Sequence, residues 1–146
     1  MASICREARI QAGAETAWAA LRDLGALHRR LAPGFVVDTR LEEGARVVTF
    51  GNGMVVRELI VDVDEEARRV AWSAQSERLS HHNASAQVFP DGPSRCRFVW
   101  VADLLPNEAA PAIAAMIDEG IRAIQDTLER AERRRGRASA VSSVSG

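Results

Sequence analysis

The chain has 146 residues, 47% of them hydrophobic and 27% charged, with a formal net charge of -1. That is the size and balance of a single domain with one core, and the near-neutral charge excludes an overall field that would draw it onto nucleic acid or an anionic membrane. All 19 basic side chains are Arg, which excludes lysine Schiff-base chemistry and a phosphate-loop lysine.

Ser3 to Gln11 reads as a first strand, ended by Gly13 and Ala14. The run AETAWAALRDLGALHRRL then carries Trp18, Leu21, Leu24, Leu27 and Leu31 at spacings of three and four, the pattern of one or two short helices divided at Gly25. Pro33-Gly34 stops helix formation, since proline disfavours a helical residue before it. From there the period changes to two. Strands are predicted at Phe35 to Leu41, Ala45 to Phe50, Met54 to Asp64, Arg69 to Glu77, His81 to Phe89 and Arg95 to Leu104. Turn chemistry separates them: Glu42-Glu43-Gly44, Gly51-Asn52-Gly53, Asp64 to Arg68, and Pro90-Asp91-Gly92-Pro93.

After Leu104-Leu105-Pro106 the helical period returns, with Ile113, Ile117, Ile121, Ile124 and Leu128 on one stripe and Met116 and Gly120 beside it. This helix is expected from about Pro111 to Arg134. The organisation is then one domain over residues 1–135 and a tail, GRASAVSSVSG, over 136–146, whose small-residue composition predicts disorder.

Strand, helix pair, six strands and one long helix is an order that resembles the helix-grip fold of the polyketide cyclase/dehydrase and lipid-transport superfamily (START-like), known from the birch-pollen allergen and the steroidogenic-acute-regulatory lipid-transfer domains. The most family-like segments are AETAWAALRDL and SRCRFVWVADLLPNEAAPAI. The resemblance implies an α+β class: a seven-stranded curved antiparallel sheet wrapped around a long C-terminal helix, with two short helices after the first strand. It also implies a small, mostly apolar or amphipathic molecule held in an internal cavity. That molecule is either carried or transformed, as by a polyketide cyclase, aromatase or dehydratase. A third possibility is a protein-binding module resembling the chaperone activators.

Alternation assigns an inward set to each of four strands. They are Val55, Arg57, Leu59, Val61 and Val63; then Val70, Trp72, Ala74 and Ser76; then His82, Ala84, Ala86 and Val88; and last Phe98, Trp100, Ala102 and Leu104. Pairing through the short turns, with a bulge allowed only at Pro90, aligns Val61, Trp72, Ala86 and Trp100 in one row and Arg57, Ser76, His82 and Leu104 in another. The expected binding site is therefore Arg57, Leu59, Trp72 and Ser76 together with His82, Trp100, Met116 and Gly120. His82 and Arg57 are the catalytic candidates, one to move a proton and the other to stabilise an enolate-like oxygen. The functional reading is a pocket on the order of a few hundred Å³ with a polar end; the plain reading is that Arg57 and His82 reach solvent at the rim and helix side chains fill the gap.

Other motifs are set aside. His81 and His82 point to opposite faces, the wrong geometry for one metal, so no metal is expected. GNGMVV leads into a strand and lacks a third glycine, so it is a hairpin turn and no nucleotide or other cofactor is expected. The cluster Arg133, Arg134, Arg135 and Arg137 complements a helix C-terminus and does not call for nucleic acid. Cys5 and Cys96 lack CxxC spacing and are expected to be small buried hydrophobes. No run approaches the roughly 18 apolar residues of a membrane helix, and the N-terminus has no apolar core after a basic start, so a cytoplasmic location without membrane insertion is expected. Val99 and Val101, on the expected outer face of the last strand, hint at a protein contact or a homodimer.

Overall fold

The structure, a computed structural model, describes residues 2–144, with side chains described to residue 138. The first strand, β1 (Ala2–Ile10), is followed by a helix, α1 (Ala14–Leu21), and a π-helical turn at Leu27–Leu31. Six strands follow in succession: β2 (Val36–Glu42), β3 (Ala45–Phe50), β4 (Val55–Asp64), β5 (Arg69–Gln75), β6 (His81–Pro90) and β7 (Cys96–Leu105). A 3-10 turn at Asn107–Ala109 leads into the long helix α2 (Ala110–Val144). Each expected strand is present, with ends that agree to within two residues.

Helix α2 runs past the end expected near Arg134. Gly136 does not stop it, because one glycine in a helix interior costs only about 1 kcal/mol against alanine and its Arg and Ala neighbours are strong helix formers. The rest of the expected tail, from Ser139, lies outside the residues whose side chains are described.

The strands form one antiparallel sheet in the order β1-β7-β6-β5-β4-β3-β2. The N-terminal strand returns beside the last one, pairing Ala2 with Leu104 and Ile10 with Cys96. The sheet curves around α2, which presents Ile117, Ile121, Ile124 and Leu128 to it, all buried. Their spacings of three and four keep one stripe inward, and burying each such side chain contributes about 1.5–3 kcal/mol. This is the helix-grip architecture. Farther along the helix, Glu132 accepts hydrogen bonds from the Gly13 amide (3.2 Å) and the Thr16 hydroxyl (2.8 Å), and Glu129 accepts one from the Gln11 amide (2.8 Å). The segment between β1 and α1 thereby fixes where α2 lies across the sheet.

One irregularity decides what faces the interior. β4 pairs with β5 as Asp64↔Arg69, Val63↔Val70 and Asp62↔Ala71, but then as Ile60↔Trp72, so Val61 is an extra, unpaired residue. A bulge of one residue exchanges the two faces of everything beyond it. Val56, Glu58 and Ile60 consequently point inward, and Arg57 and Leu59 point outward. The expectation of Val55, Arg57, Leu59 and Val61 as an inner set is thus corrected, since it assumed a bulge-free β4. Val61 itself is 64% exposed.

The β5–β6 register also differs from expectation, by two residues. Trp72 pairs with Ala84 and Val70 with Ala86, while Ala86 pairs with Trp100. A shift of two preserves the face, so Trp72 and Trp100 still meet, diagonally instead of along one row. Cys96 is buried in the core, and burial, then the nearby Glu132 and Asp91, pushes its thiol up to about 11, leaving it inert at neutral pH. Cys5 is exposed, contrary to expectation, because alternation in β1 buries its neighbour Ile4 instead.

Candidate ligand-binding cavity

The site begins in the hairpin of β3 and β4. In β3, ARVVTF, the period of two places Arg46, Val48 and Phe50 on the inner face, and the ladder sets Arg46 directly opposite Glu58. Both are buried, at 2% and 7% exposure, and Arg46 Nε donates to Glu58 Oε1 at 2.8 Å. The guanidinium also lies over the Trp72 ring, 5.4 Å from its centroid. A buried charge pair of this kind is tolerated only when its geometry is good, and the cation–π contact adds to that.

Two donors near this pair have no acceptor. Arg46 Nη1 and Trp100 Nε1 are each fully shielded and make no hydrogen bond with the protein. Leaving a buried donor unsatisfied costs about 1–3 kcal/mol, so such groups call for an explanation. Both side chains line the same space. It is a cavity lobe of about 60 Å³ enclosed by sheet residues Val48, Trp72 and Phe98, by Leu27 and Leu31, and by Ile124 of α2. A second lobe of about 50 Å³ shares Glu58, Trp72 and Trp100 and adds His82, Ile113 and Ile117. The two indoles stand edge to face with centroids 6.2 Å apart.

Phe35 and Phe50, also edge to face at 5.4 Å, border both lobes and a wider surface cleft of about 340 Å³ that includes Asn52, Met116 and Glu119. Glycines bring the two rings together. Gly34 has φ +89°, a conformation that side chains disfavour, and a Cβ on Gly51 would stand 2.4 Å from the Gly34 carbonyl oxygen. The Gly51 amide donates to the Phe35 carbonyl at 2.9 Å, locking the loops face to face. On the helix side, a Cβ on Gly120 would stand 2.8 Å from Phe35 and 2.9 Å from Trp100. The mid-helix glycine therefore lets both rings lie against the helix backbone.

The expected site residues divide accordingly. Trp72, Trp100, His82 and Met116 border the cavity, and Gly120 shapes it through Phe35 and Trp100. Arg57 does not. It lies on the outer face, donating to Glu42 Oε2 and Gln75 Oε1 at 3.0 Å each, because of the bulge at Val61. Leu59 shares that outer face, and Ser76 is exposed beyond the end of β5, where its Oγ accepts from the Arg78 amide. The row Arg57–Ser76–His82 does not form. The cavity is also smaller than expected, since Phe35 and Phe50 occupy part of the space.

His82 is half-buried opposite Leu104, and burial first, then the adjacent His81, lowers its pKa from the ordinary imidazole value of 6.5. It is neutral at pH 7. Arg46 and Glu58 are the functional candidates that sequence reasoning missed. A usable signal existed: Arg46 alternates with Val48 and Phe50, two apolar residues, and opposite charges face each other across the Gly51-Asn52-Gly53 turn. Among the described residues no group of three or more His, Cys, Asp or Glu is placed to hold a metal ion, and no helix is long and apolar enough to cross a membrane.

Comparisons with known proteins agree on the architecture. A protein from Thermobifida fusca, known from a solution structure, is 26% identical, with a TM-score of 0.73 over 89% of this chain and 95% of that one. A START superfamily protein from Mycobacterium smegmatis has a TM-score of 0.68 at 14% identity, covering 90% of this chain and 97% of its own. The di-domain ARO/CYC BexL from the BE-7585A biosynthetic pathway has a TM-score of 0.71 at 14% identity, covering 88% of this chain and 47% of BexL. Comparison with curated proteins gave no match. A family model described as polyketide cyclase / dehydrase and lipid transport matches residues 1–134.

Proposed function

Because this chain belongs to the polyketide cyclase/dehydrase and lipid transport family, we propose that it binds a small, mostly apolar molecule bearing an acceptor oxygen in the cavity between the sheet and α2. The observation that carries this reading is the pair of buried donors without partners, Arg46 Nη1 and Trp100 Nε1, on two side chains that line one apolar lobe. An oxygen of the bound molecule satisfies them, and the indoles of Trp72 and Trp100 supply apolar contact. The lobes are smaller than the roughly 300–1,000 Å³ of drug-sized sites. They are also smaller than the roughly 150 Å³ of a cavity that takes one benzene, so a single-ring molecule enters as a lining side chain such as Phe35 yields toward the surface cleft.

A second reading, turnover of the bound molecule by cyclase- or dehydratase-type proton transfer, draws on His82. Burial favours its neutral form, so it is able to accept a proton in the second lobe. Among the structural relatives, BexL is described as a di-domain ARO/CYC of a biosynthetic pathway. Binding is common to both readings and is tested first.

Calorimetric titration with three single-ring probes of similar shape, acetophenone, benzoate and cumene, provides the test. At least one oxygen-bearing probe is expected to bind more tightly than cumene, and Trp100→Phe, or Arg46→Met combined with Glu58→Leu so that no charge is stranded, is expected to narrow that gap by about tenfold, the value of one hydrogen bond of about 1.4 kcal/mol. Cumene binding as tightly as both oxygen-bearing probes would overturn the reading.

A further inference from the structure

We infer that the group held at Arg46 is a neutral carbonyl, as in a ketone, ester, lactone or amide, and not a carboxylate, because Glu58 already fills the anion's place beside the guanidinium. This rests on the binding proposed above and narrows its ligand class. The guanidinium spreads one positive charge over its three nitrogens. Its Nε is committed to Glu58 Oε1 at 2.8 Å, so the pair is neutral as a unit, while Nη1 remains a donor without a partner.

An anionic head docked on Nη1 would stand a few ångströms from the Glu58 carboxylate, in a space walled by Phe35, Trp72 and Trp100 where both members of the resident ion pair are buried. Like charges at that separation repel strongly where water does not intervene. A carboxylate would also surrender its hydration on entry without gaining a net opposite charge. A carbonyl oxygen has neither penalty. It accepts from Nη1, and the indole of Trp100, a residue lining the same lobe, carries a second donor without a partner. Of the charged side chains bordering the two lobes, Arg46 and Glu58 cancel, and His82 is held neutral by its burial. The cavity thus offers donors without offering charge.

The same titrations separate this inference from the reading beneath it. The unaltered protein is expected to bind acetophenone at least tenfold more tightly than benzoate. Glu58→Gln keeps an oxygen for Arg46 Nε but removes the negative charge, and is expected to raise benzoate affinity at least tenfold while changing acetophenone affinity less than threefold. Should that variant fail to fold, the double variant Arg46→Met/Glu58→Leu removes both charges and is expected to weaken acetophenone about tenfold, the bond to Trp100 Nε1 remaining, and benzoate less than threefold, whereas an equal loss for benzoate would overturn the inference. Benzoate binding the unaltered protein as tightly as acetophenone, with both tighter than cumene, would overturn the neutral-carbonyl inference and leave the binding proposal standing. Neither oxygen-bearing probe exceeding cumene would overturn both.

Discussion

His82 shows how one residue's surroundings set a measurable property of the whole. Its imidazole is half-buried, and burial, followed by the charge of His81, disfavours its protonated form in the native state. The unfolded chain therefore binds a proton at a higher pH than the native one, so stability rises with pH through that range. The contribution is complete above the unfolded value near 6.5, declines as the pH falls toward the lowered native value, and levels off below it. Urea unfolding at about pH 7.5 and about pH 5.5 is expected to show a loss at the lower pH that is smaller in His82→Asn. An identical loss in both proteins would contradict this assignment. Arg46 and Glu58, by contrast, gain their meaning as a pair. Removing one would strand the other in the core, where a broken buried pair costs about 3–5 kcal/mol, whereas exchanging both for apolar residues is often neutral.

At the scale of elements, the bulge at Val61 is what makes the interior. With it, β4 delivers Glu58 to Arg46; without it, the same strand would deliver Arg57 and Leu59. Deleting Val61 closes the ladder with Asp62↔Ala71 followed directly by Ile60↔Trp72, so residues 55–60 keep their faces and Glu58 stays opposite Arg46. The expected outcome is a cooperative transition within about 1 kcal/mol of the parent, by urea titration with fluorescence detection, because the buried pair is kept. A loss of about 3 kcal/mol or more, the cost of a broken buried pair, would show that the faces of residues 55–60 had inverted. The bulge also marks the limit of what was legible. Strand positions, the helical stripe from Ile113 to Leu128 and the inward Trp72 and Trp100 follow from periods of two and 3.6, which local sequence carries. A bulge leaves no such trace in a run like VVRELIVDVD, where both alternating sets contain apolar and charged residues. The row built on Arg57 was therefore out of phase, and the real polar pair lay one residue away. Gly120 was legible as an anomaly in a helix, and the rings of Phe35 and Trp100 account for it.

For the molecule as a whole, the sheet, the long helix and the loops at Gly34 and Gly51 enclose a small apolar space with one internally neutralised ion pair and two unsatisfied donors. Everything functional proposed here depends on those donors meeting an acceptor carried by a ligand. The chain's three tryptophans make that directly observable. The indole N–H of Trp18 is already bonded to Glu65 at 2.7 Å and serves as an internal reference, whereas that of Trp100 has no partner. In a proton–nitrogen correlation spectrum, with Trp100 assigned from Trp100→Phe, titration with acetophenone is predicted to move the Trp100 indole signal downfield, as a new hydrogen bond requires, and to leave Trp18 in place. A Trp100 signal that stays fixed while acetophenone saturates the protein would contradict the account.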